Sequence, residues 1–137
     1  KKQQPRQVIE QPPSTQYALW RSRELDTPVE RDAPLHFAHS GVHCPAPNTV
    51  HIDQTLDLHQ MTCDQAANAT HACLLRAQNQ AWRVIHIIHG KGKHAILKTA
   101  LNHWLIHHPC VLGFYSAPQH HGGTGSVYVF IRHRNPL

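Results

Sequence analysis

The chain has 137 residues, 10 of them proline, and a formal net charge of +5 when its 15 histidines are counted as neutral. This length supports one hydrophobic core, so we expect a single domain with an extension. The chain begins at Lys1 rather than methionine, as a fragment of a longer protein would. We expect neither a membrane span nor a signal peptide, since no apolar run is long enough for either. The four cysteines lack paired spacing, which favours reduced thiols and a cytoplasmic location.

Acidic residues are confined to the first half of the chain. Residues 1–64 hold eight Asp or Glu and six Lys or Arg, a net charge of −2. Residues 65–137 hold seven Lys or Arg and no acid, a net charge of +7. A globular half without any carboxylate predicts a polyanionic partner, most simply nucleic acid. No membrane partner is expected, since the chain has no apolar run of spanning length. The alternative is a basic surface that serves only solubility.

Residues 1–48 are predicted to form a largely irregular N-terminal extension, because seven prolines interrupt every segment of helix or strand length. A short helix around residues 17–25 would carry an apolar patch that can dock on the domain or on a partner. Four side chains of the extension raise the question of a zinc site: His36, His39, His43 and Cys44. Their spacing matches no zinc finger, so scattered surface histidines are the simpler interpretation.

The chain after residue 48 shows the element order β-α-β-α-β-β. Strands are predicted over residues 49–59, 83–89, 111–117 and 126–133, and helices over residues 62–80 and 94–107. Thr62 and Gln65 have the spacing of a capping box at the start of the first helix. The apolar side of the second helix comprises Ile96, Leu97, Ala100, Leu101, Trp104 and Leu105.

This order predicts a two-layer α/β sandwich, in which a mixed four-stranded sheet carries both helices on one face, as right-handed crossovers require. The first three strands should run in the same direction, so their carboxyl ends should lie along one edge of the sheet. Open α/β sheets bind ligands at such an edge. The segments 60–61, 89–92 and 119–125 follow these strand ends, and we expect them to meet there.

Two side chains near the end of the first strand suggest acid–base chemistry. Asp57 and His59 are two residues apart and therefore share one face of a strand, where a carboxylate can orient an imidazole. The alternative is that Asp57 caps a turn and His59 is an ordinary loop histidine. His89, at the end of the second strand, is a candidate second proton donor, or else a histidine that merely ends its strand.

Glycine-rich turns follow the second and third strands. Gly90 and Gly92 flank Lys91 just before a helix, where glycines admit close approach and helix amides attract anions. With Lys93 adding a second cation, this turn predicts a phosphate cradle, although a plain connecting turn would have the same glycines. The second turn contributes Gly122, Gly123 and Gly125 as candidate contacts to a nucleic-acid strand. A flexible hairpin loop is its alternative.

Carboxylates are too few for a two-metal nuclease site. After residue 48 the chain has only Asp53, Asp57 and Asp64, and Asp64 falls in the first turn of a helix, where the helix dipole favours it. We therefore expect no cofactor, and a divalent metal is not indicated.

Three blocks together resemble the signature motifs of the Smr (small MutS-related) domain, in particular its stand-alone bacterial members. The blocks are Leu56-Asp57-Leu58-His59, His89-Gly90-Lys91-Gly92 and Gly122-Gly123-Thr124-Gly125-Ser126-Val127-Tyr128-Val129. The resemblance covers roughly residues 50–134. It implies a fold similar to the C-terminal domain of translation initiation factor 3.

The resemblance also implies nucleic-acid binding and endonuclease activity, on RNA in some relatives and on DNA in others. Asp57 and His59 match the family's D-x-H motif, held to be catalytic, and the G-x-G of residues 90–92 matches the motif held to contact nucleic acid. Gln60 departs from the family, which usually has glycine there. If this position needs a positive φ, a glutamine there changes the local backbone geometry or strains it.

The resulting hypothesis is an endonuclease that favours RNA, including messenger RNA on ribosomes, and that uses His/Asp acid–base chemistry. One alternative is a DNA-nicking enzyme of recombination or repair. Another is a non-catalytic module that binds nucleic acid or the ribosome, with residues 1–48 as the docking arm. A third is a structural domain whose arm mediates self-association.

Overall fold

The structure is a computed structural model that describes residues 28–92 and 95–133. The helix expected around residues 17–25 and the side chain of Lys93 lie outside the described residues. The described strands are β1 (His36–Ala38), β2 (Gln54–Asp57), β3 (Val84–Ile88), β4 (Val111–Ser116) and β5 (Ser126–Ile131). The described α-helices are α1 (Cys63–Gln80), between β2 and β3, and α2 (Ile96–His107), between β3 and β4.

All five strands belong to one mixed sheet with the order β1-β4-β5-β3-β2. β2 and β3 are parallel, whereas each of the other neighbouring pairs is antiparallel. It follows that β2, β3 and β4 run in the same direction, as predicted, although β5 lies between β3 and β4. Their carboxyl ends share one edge of the sheet.

The predicted sheet of four strands is wrong in number, because the proline-rich segment supplies β1 as a fifth strand. β1 pairs antiparallel to β4, with His36 opposite Tyr115. Leu35 is buried, and its N–H donates to Ser116 Oγ at 2.7 Å. Prolines at 34 and 45 leave enough residues between them for a three-residue strand. The described part of the extension therefore packs on the domain, while the boundary at residue 48 remains a prediction.

Both helices pack on the same face of the sheet, as predicted. The core between the layers contains Ala66, Cys73, Leu74 and Ala77 from α1, Leu101, Trp104 and Leu105 from α2, and Ile85, Ile87, Val127 and Val129 from the sheet. The small side chains of α1 let this helix approach the strands closely. The capping box is confirmed, since Gln65 N–H donates to Thr62 Oγ1 at 3.1 Å and Thr62 N–H to Gln65 Oε1 at 3.0 Å. None of the helices in the described residues is long and apolar enough to cross a bilayer.

Candidate active site

Three segments far apart in the sequence meet at the carboxyl edge of the sheet. Leu58 N–H donates to the carbonyl of Ile88 at 2.7 Å, which holds the end of β2 against the end of β3. The N–H groups of His89 and Gly90 both donate to the carbonyl of Gly125, at 3.0 and 2.9 Å. The expected convergence of the loops after β2 and β3 with the loop before β5 is thereby confirmed.

Asp57 and His59 are in direct contact at this edge. Asp57 Oδ1 lies 2.5 Å from His59 Nδ1 and also accepts the His59 backbone N–H at 3.0 Å. The hydrogen bond from His59 lowers the pKa of Asp57, so the carboxylate is ionised at neutral pH. With Nδ1 donating to the carboxylate, a neutral His59 ring has its lone pair on Nε2. Leu58, between them, is fully buried, which anchors the pair while both side chains stay about half exposed.

Gln60 has a backbone φ of +73°, in the left-handed region that favours glycine. The sequence raised this question, because the family usually has glycine here. The turn after His59 is therefore formed with glutamine in place of glycine, and the left-handed conformation strains the backbone of Gln60.

The glycine turn lies directly against His59. Gly90 has φ +80°, and a Cβ added to it would lie 3.4 Å from His59 Cβ. A Cβ on Gly125 would lie 3.5 Å from Lys91 Cγ. Gly92, by contrast, has open space around it. A Cβ at 90 or 125 would thus make only ordinary contacts, and it is the positive φ of Gly90 that favours glycine in this turn.

Lys91 carries the positive charge at this turn, and the described part of the extension reaches it. Arg31 Nε donates to the Lys91 carbonyl at 2.8 Å, and Asp32 Oδ1 lies 3.7 Å from Lys91 Nζ. The Lys91 side chain is 44% and that of Asp32 70% exposed, so water and salt screen this ion pair. A carboxylate of the extension therefore sits next to the lysine expected to contact phosphate.

Lys98 holds this part of the extension in place. Its side chain is fully buried, and Nζ donates to the carbonyls of Glu30 (3.1 Å), Arg31 (3.0 Å) and Ala33. Burial lowers the pKa of Lys98, and the nearby Asp32 carboxylate opposes that shift. Three converging carbonyls satisfy all three donors of the ammonium group.

His89 is 3% exposed and lies beneath the glycine turn. Its Nδ1 donates to the carbonyl of Gly90 at 2.7 Å, while Nε2 has no hydrogen-bond partner among the described residues. Burial lowers the pKa of His89 to about 4, so the ring is neutral at pH 7 and Nε2 is an acceptor.

The loop before β5 is held from the sheet face opposite the helices. His86 Nε2 lies 3.0 Å from both the His121 carbonyl oxygen and the Ser126 hydroxyl. Gly122, with φ +112°, packs on Ser126, and Gly123 lies near Gln119. Of the three predicted glycines of this loop, the structure brings Gly125 to Lys91, whereas Gly122 and Gly123 shape the loop itself.

A cavity of about 510 Å³ opens between the turn after β2, the glycine turn after β3 and the start of α2. Its wall includes His59, Met61, His89, Lys91, Ile96 and Leu97. Within residues 28–92 and 95–133, no group of three or more His, Cys, Asp or Glu side chains is placed to hold a metal ion.

The sequence interpretation missed Arg31, Asp32 and Lys98. A signal for Lys98 was present, since it shares the α2 face of Leu101 and Leu105, three and seven residues further on, and a lysine on a buried face needs partners. Nothing in the sequence pattern ties Arg31 and Asp32 to Lys91, because that contact depends on β1 joining the sheet.

Residues 56–132 match the sequence profile of the Smr domain. The ribosome rescue factor SmrB of Tolumonas auensis is 32% identical over 123 residues, which cover 85% of this chain and 70% of that relative. The ribosome rescue factor SmrB of Buchnera aphidicola is 37% identical over 79 residues, covering 58% of this chain and 42% of that relative. The aligned part thus spans less than half the length of the Buchnera protein.

The solved structure of YdaL, a stand-alone small MutS-related protein from Escherichia coli, has the same fold. It superposes with a TM-score of 0.75 over 86% of this chain and 98% of YdaL, at 24% sequence identity. The two-layer arrangement of a mixed sheet and two helices is therefore that of a known structure.

Proposed function

The chain belongs to the Smr domain family, as its three motif blocks predicted, and on this premise we propose that it is an endonuclease that binds nucleic acid and cleaves RNA. The observation that carries the proposal is the contact between Asp57 and His59 beside a lysine and two glycine turns. Both relatives are ribosome rescue factors, which supports RNA at the ribosome as the substrate and the cytoplasm as the location.

His59 is the proposed general base. Its Nε2 takes the proton of a ribose 2′-hydroxyl, and the 2′-oxygen attacks the adjacent phosphorus as the bond to the 5′-oxygen breaks. The products are a cyclic 2′,3′-phosphate and a 5′-hydroxyl that receives its proton from water. Asp57 keeps the ring in the required tautomer and stabilises its protonated form.

The charge that builds on the phosphate needs donors and cations nearby. Lys91 and the backbone N–H of Gly92 are proposed to supply them, since they border the cavity next to His59. The N–H of Gly90 already donates to the Gly125 carbonyl, so Gly90 is proposed to contact the substrate only through its lack of a side chain.

Lys93, Gly122 and Gly123 are proposed to contact the strand further along. Gly125, predicted as a third glycine contact, is buried instead, and its carbonyl accepts the N–H groups of His89 and Gly90. A role of His89 as second proton donor requires a protonated ring, which its pKa of about 4 disfavours at neutral pH.

The test compares two Asp–His pairs of the same chain. His59→Asn keeps a polar group near Asp57 but removes the base, so cutting of single-stranded RNA should fall by at least about 100-fold. The matched control is His51→Asn, because His51 lies 3.8 Å from Asp53 but away from the cavity, with 88% of its side chain exposed. We expect the control to cut like the unaltered protein, and EDTA to change neither rate. Equal cutting by both variants would remove His59 from the reaction.

A second candidate function is a module that binds nucleic acid or the ribosome without catalysis. The residue that favours this candidate is Gln60. A glutamine at φ +73° next to the base puts a side chain where the family resemblance implies glycine. This candidate predicts salt-dependent binding with no cleavage of RNA or of supercoiled plasmid. It also predicts docking that is lost when residues 1–27 are removed, a deletion that keeps β1 and the partners of Lys98. Nicking of plasmid alone would instead identify a DNA enzyme.

A further inference from the structure

The cavity at the candidate site has an apolar wall that chemistry on a phosphate does not need. Met61 and Leu97 line it and are partly buried, and beside them Ile96 is 61% exposed. The sequence placed Ile96 on the buried side of its helix, but α2 begins at this residue, and it borders the cavity instead. A large exposed aliphatic side chain beside a charged cavity indicates a contact surface for an apolar ligand face.

The polar groups that a ligand in this cavity can reach are those of His59 and Lys91, whose side chains are about half exposed. His89 also lines the cavity, but it is 3% exposed and its Nδ1 already donates to Gly90. Its Nε2 has no partner among the described residues and almost no accessible surface, so the ring gives the cavity shape rather than a hydrogen bond. The cavity therefore combines an apolar wall with a basic side chain and the candidate base, as a nucleotide of a polyanionic strand requires.

We propose that the cavity binds one unpaired nucleobase next to the cleaved phosphate, with the face of the base against Met61 and Ile96. The inference rests on the proposed nucleic-acid substrate and defines its class as single-stranded. The cavity volume of about 510 Å³ falls in the range of small-molecule sites, roughly 300–1,000 Å³. A base within a duplex has both faces stacked and its edge paired, so it cannot enter.

The test uses the full chain and a single-stranded 2′-O-methyl hexanucleotide, which binds but lacks the hydroxyl needed for cutting. One ligand is intact, and six others each lack the base at one position. Fluorescence anisotropy gives the affinity of each for the unaltered protein, for Ile96→Ser and for the control Leu75→Ser. Leu75 is a matched control, because it is 44% exposed on α1 and does not line the cavity.

For the unaltered protein, removal of one particular base should weaken binding by about tenfold, the size of one lost stacking contact. Ile96→Ser should weaken binding of the intact ligand several-fold and should bind the ligand lacking that base as the unaltered protein does. Leu75→Ser should bind all ligands normally. Equal losses at all six positions, or normal binding of the intact ligand by Ile96→Ser, would overturn the inference.

Cleavage of the matching unmodified RNA, measured in parallel, separates the base site from the proposed reaction. Cutting without any dependence on one base would refute the base site and retain the nuclease. Base-dependent binding without cutting would retain the base site and refute the nuclease. Failure of the unaltered protein to bind any of the ligands would refute the base site as well.

Discussion

Lys98 and Lys91 both contact the segment of residues 30–33, but we expect Lys98 to stabilise the fold and Lys91 to bind nucleic acid. Replacing each of them by methionine tests this difference. Lys98 is fully buried and donates to three backbone carbonyls of residues 30–33. Hydrogen bonds from a charged group are worth roughly 1.5–3 kcal/mol each, but the dehydrated ammonium offsets several kcal/mol of that gain. In the variant, residues 30–33 can detach from the domain, so their carbonyls form hydrogen bonds with water instead and the loss of stability is limited.

We therefore expect Lys98→Met to lower the free energy of unfolding by about 2 kcal/mol. For a domain of about 100 residues this corresponds to a fall in Tm of roughly 10 °C. Lys91→Met breaks only a screened surface pair with Asp32 and should cost less than about 1 kcal/mol. Its effect should instead appear in nucleic-acid affinity, with the salt dependence reduced by about one phosphate contact. Urea unfolding and anisotropy titrations measure both quantities. A stability of Lys98→Met equal to that of Lys91→Met would refute the role of Lys98 as a clamp.

Three further predictions concern the backbone of the site and the titration of His89. Gln60→Gly should stabilise the fold by up to about 1 kcal/mol, because glycine adopts a φ of +73° without strain. Ala81→Gly, at a φ of +60°, should stabilise the fold by a similar amount, but only Gln60→Gly should change the rate of RNA cleavage. His89 has a folded pKa of about 4, below its unfolded value, so the unfolded chain takes up its proton first and stability is lost as pH falls from about 6.5 to about 4. Between pH 7 and 5 the unaltered protein should lose roughly 2 kcal/mol more than His89→Asn, and equal losses would contradict this. Gly122→Ala should destabilise the fold by about 1–3 kcal/mol, because residue 122 has a φ of +112° and its new Cβ would collide with the Ser126 side chain. Gly92→Ala is the control, and its thermal unfolding should match that of the unaltered protein, since the space around Gly92 is open.

Most of the helices and strands could be predicted from local sequence patterns. The capping box and the small apolar residues of α1 predicted where that helix begins and which face it buries, and both depend on neighbours in sequence. β1 escaped prediction because a three-residue strand between prolines has no periodicity, and its pairing with β4 is a tertiary contact. Ile96 was misplaced for a related reason, since the pattern cannot show that the helix starts at that residue.

The site was predictable where two residues share a strand or a turn. The spacing of Asp57 and His59 predicted their contact, but β2 ends at Asp57 and His59 lies in the turn that follows, where Asp57 also accepts its backbone N–H. The glycines at 90 and 92 predicted an open turn beside them. The contacts of Lys98 with residues 30–33 join segments more than sixty positions apart. Only the folded chain brings them together, so no local pattern can report them.

The identity of the ends produced when the protein cuts a single-stranded RNA tests the role of His59 most directly. We predict a cyclic 2′,3′-phosphate and a 5′-hydroxyl from the unaltered protein, and neither product from His59→Asn. A 5′-phosphate with a 3′-hydroxyl, or the same cyclic product at the same rate from His59→Asn, would contradict the assignment of His59 as the base.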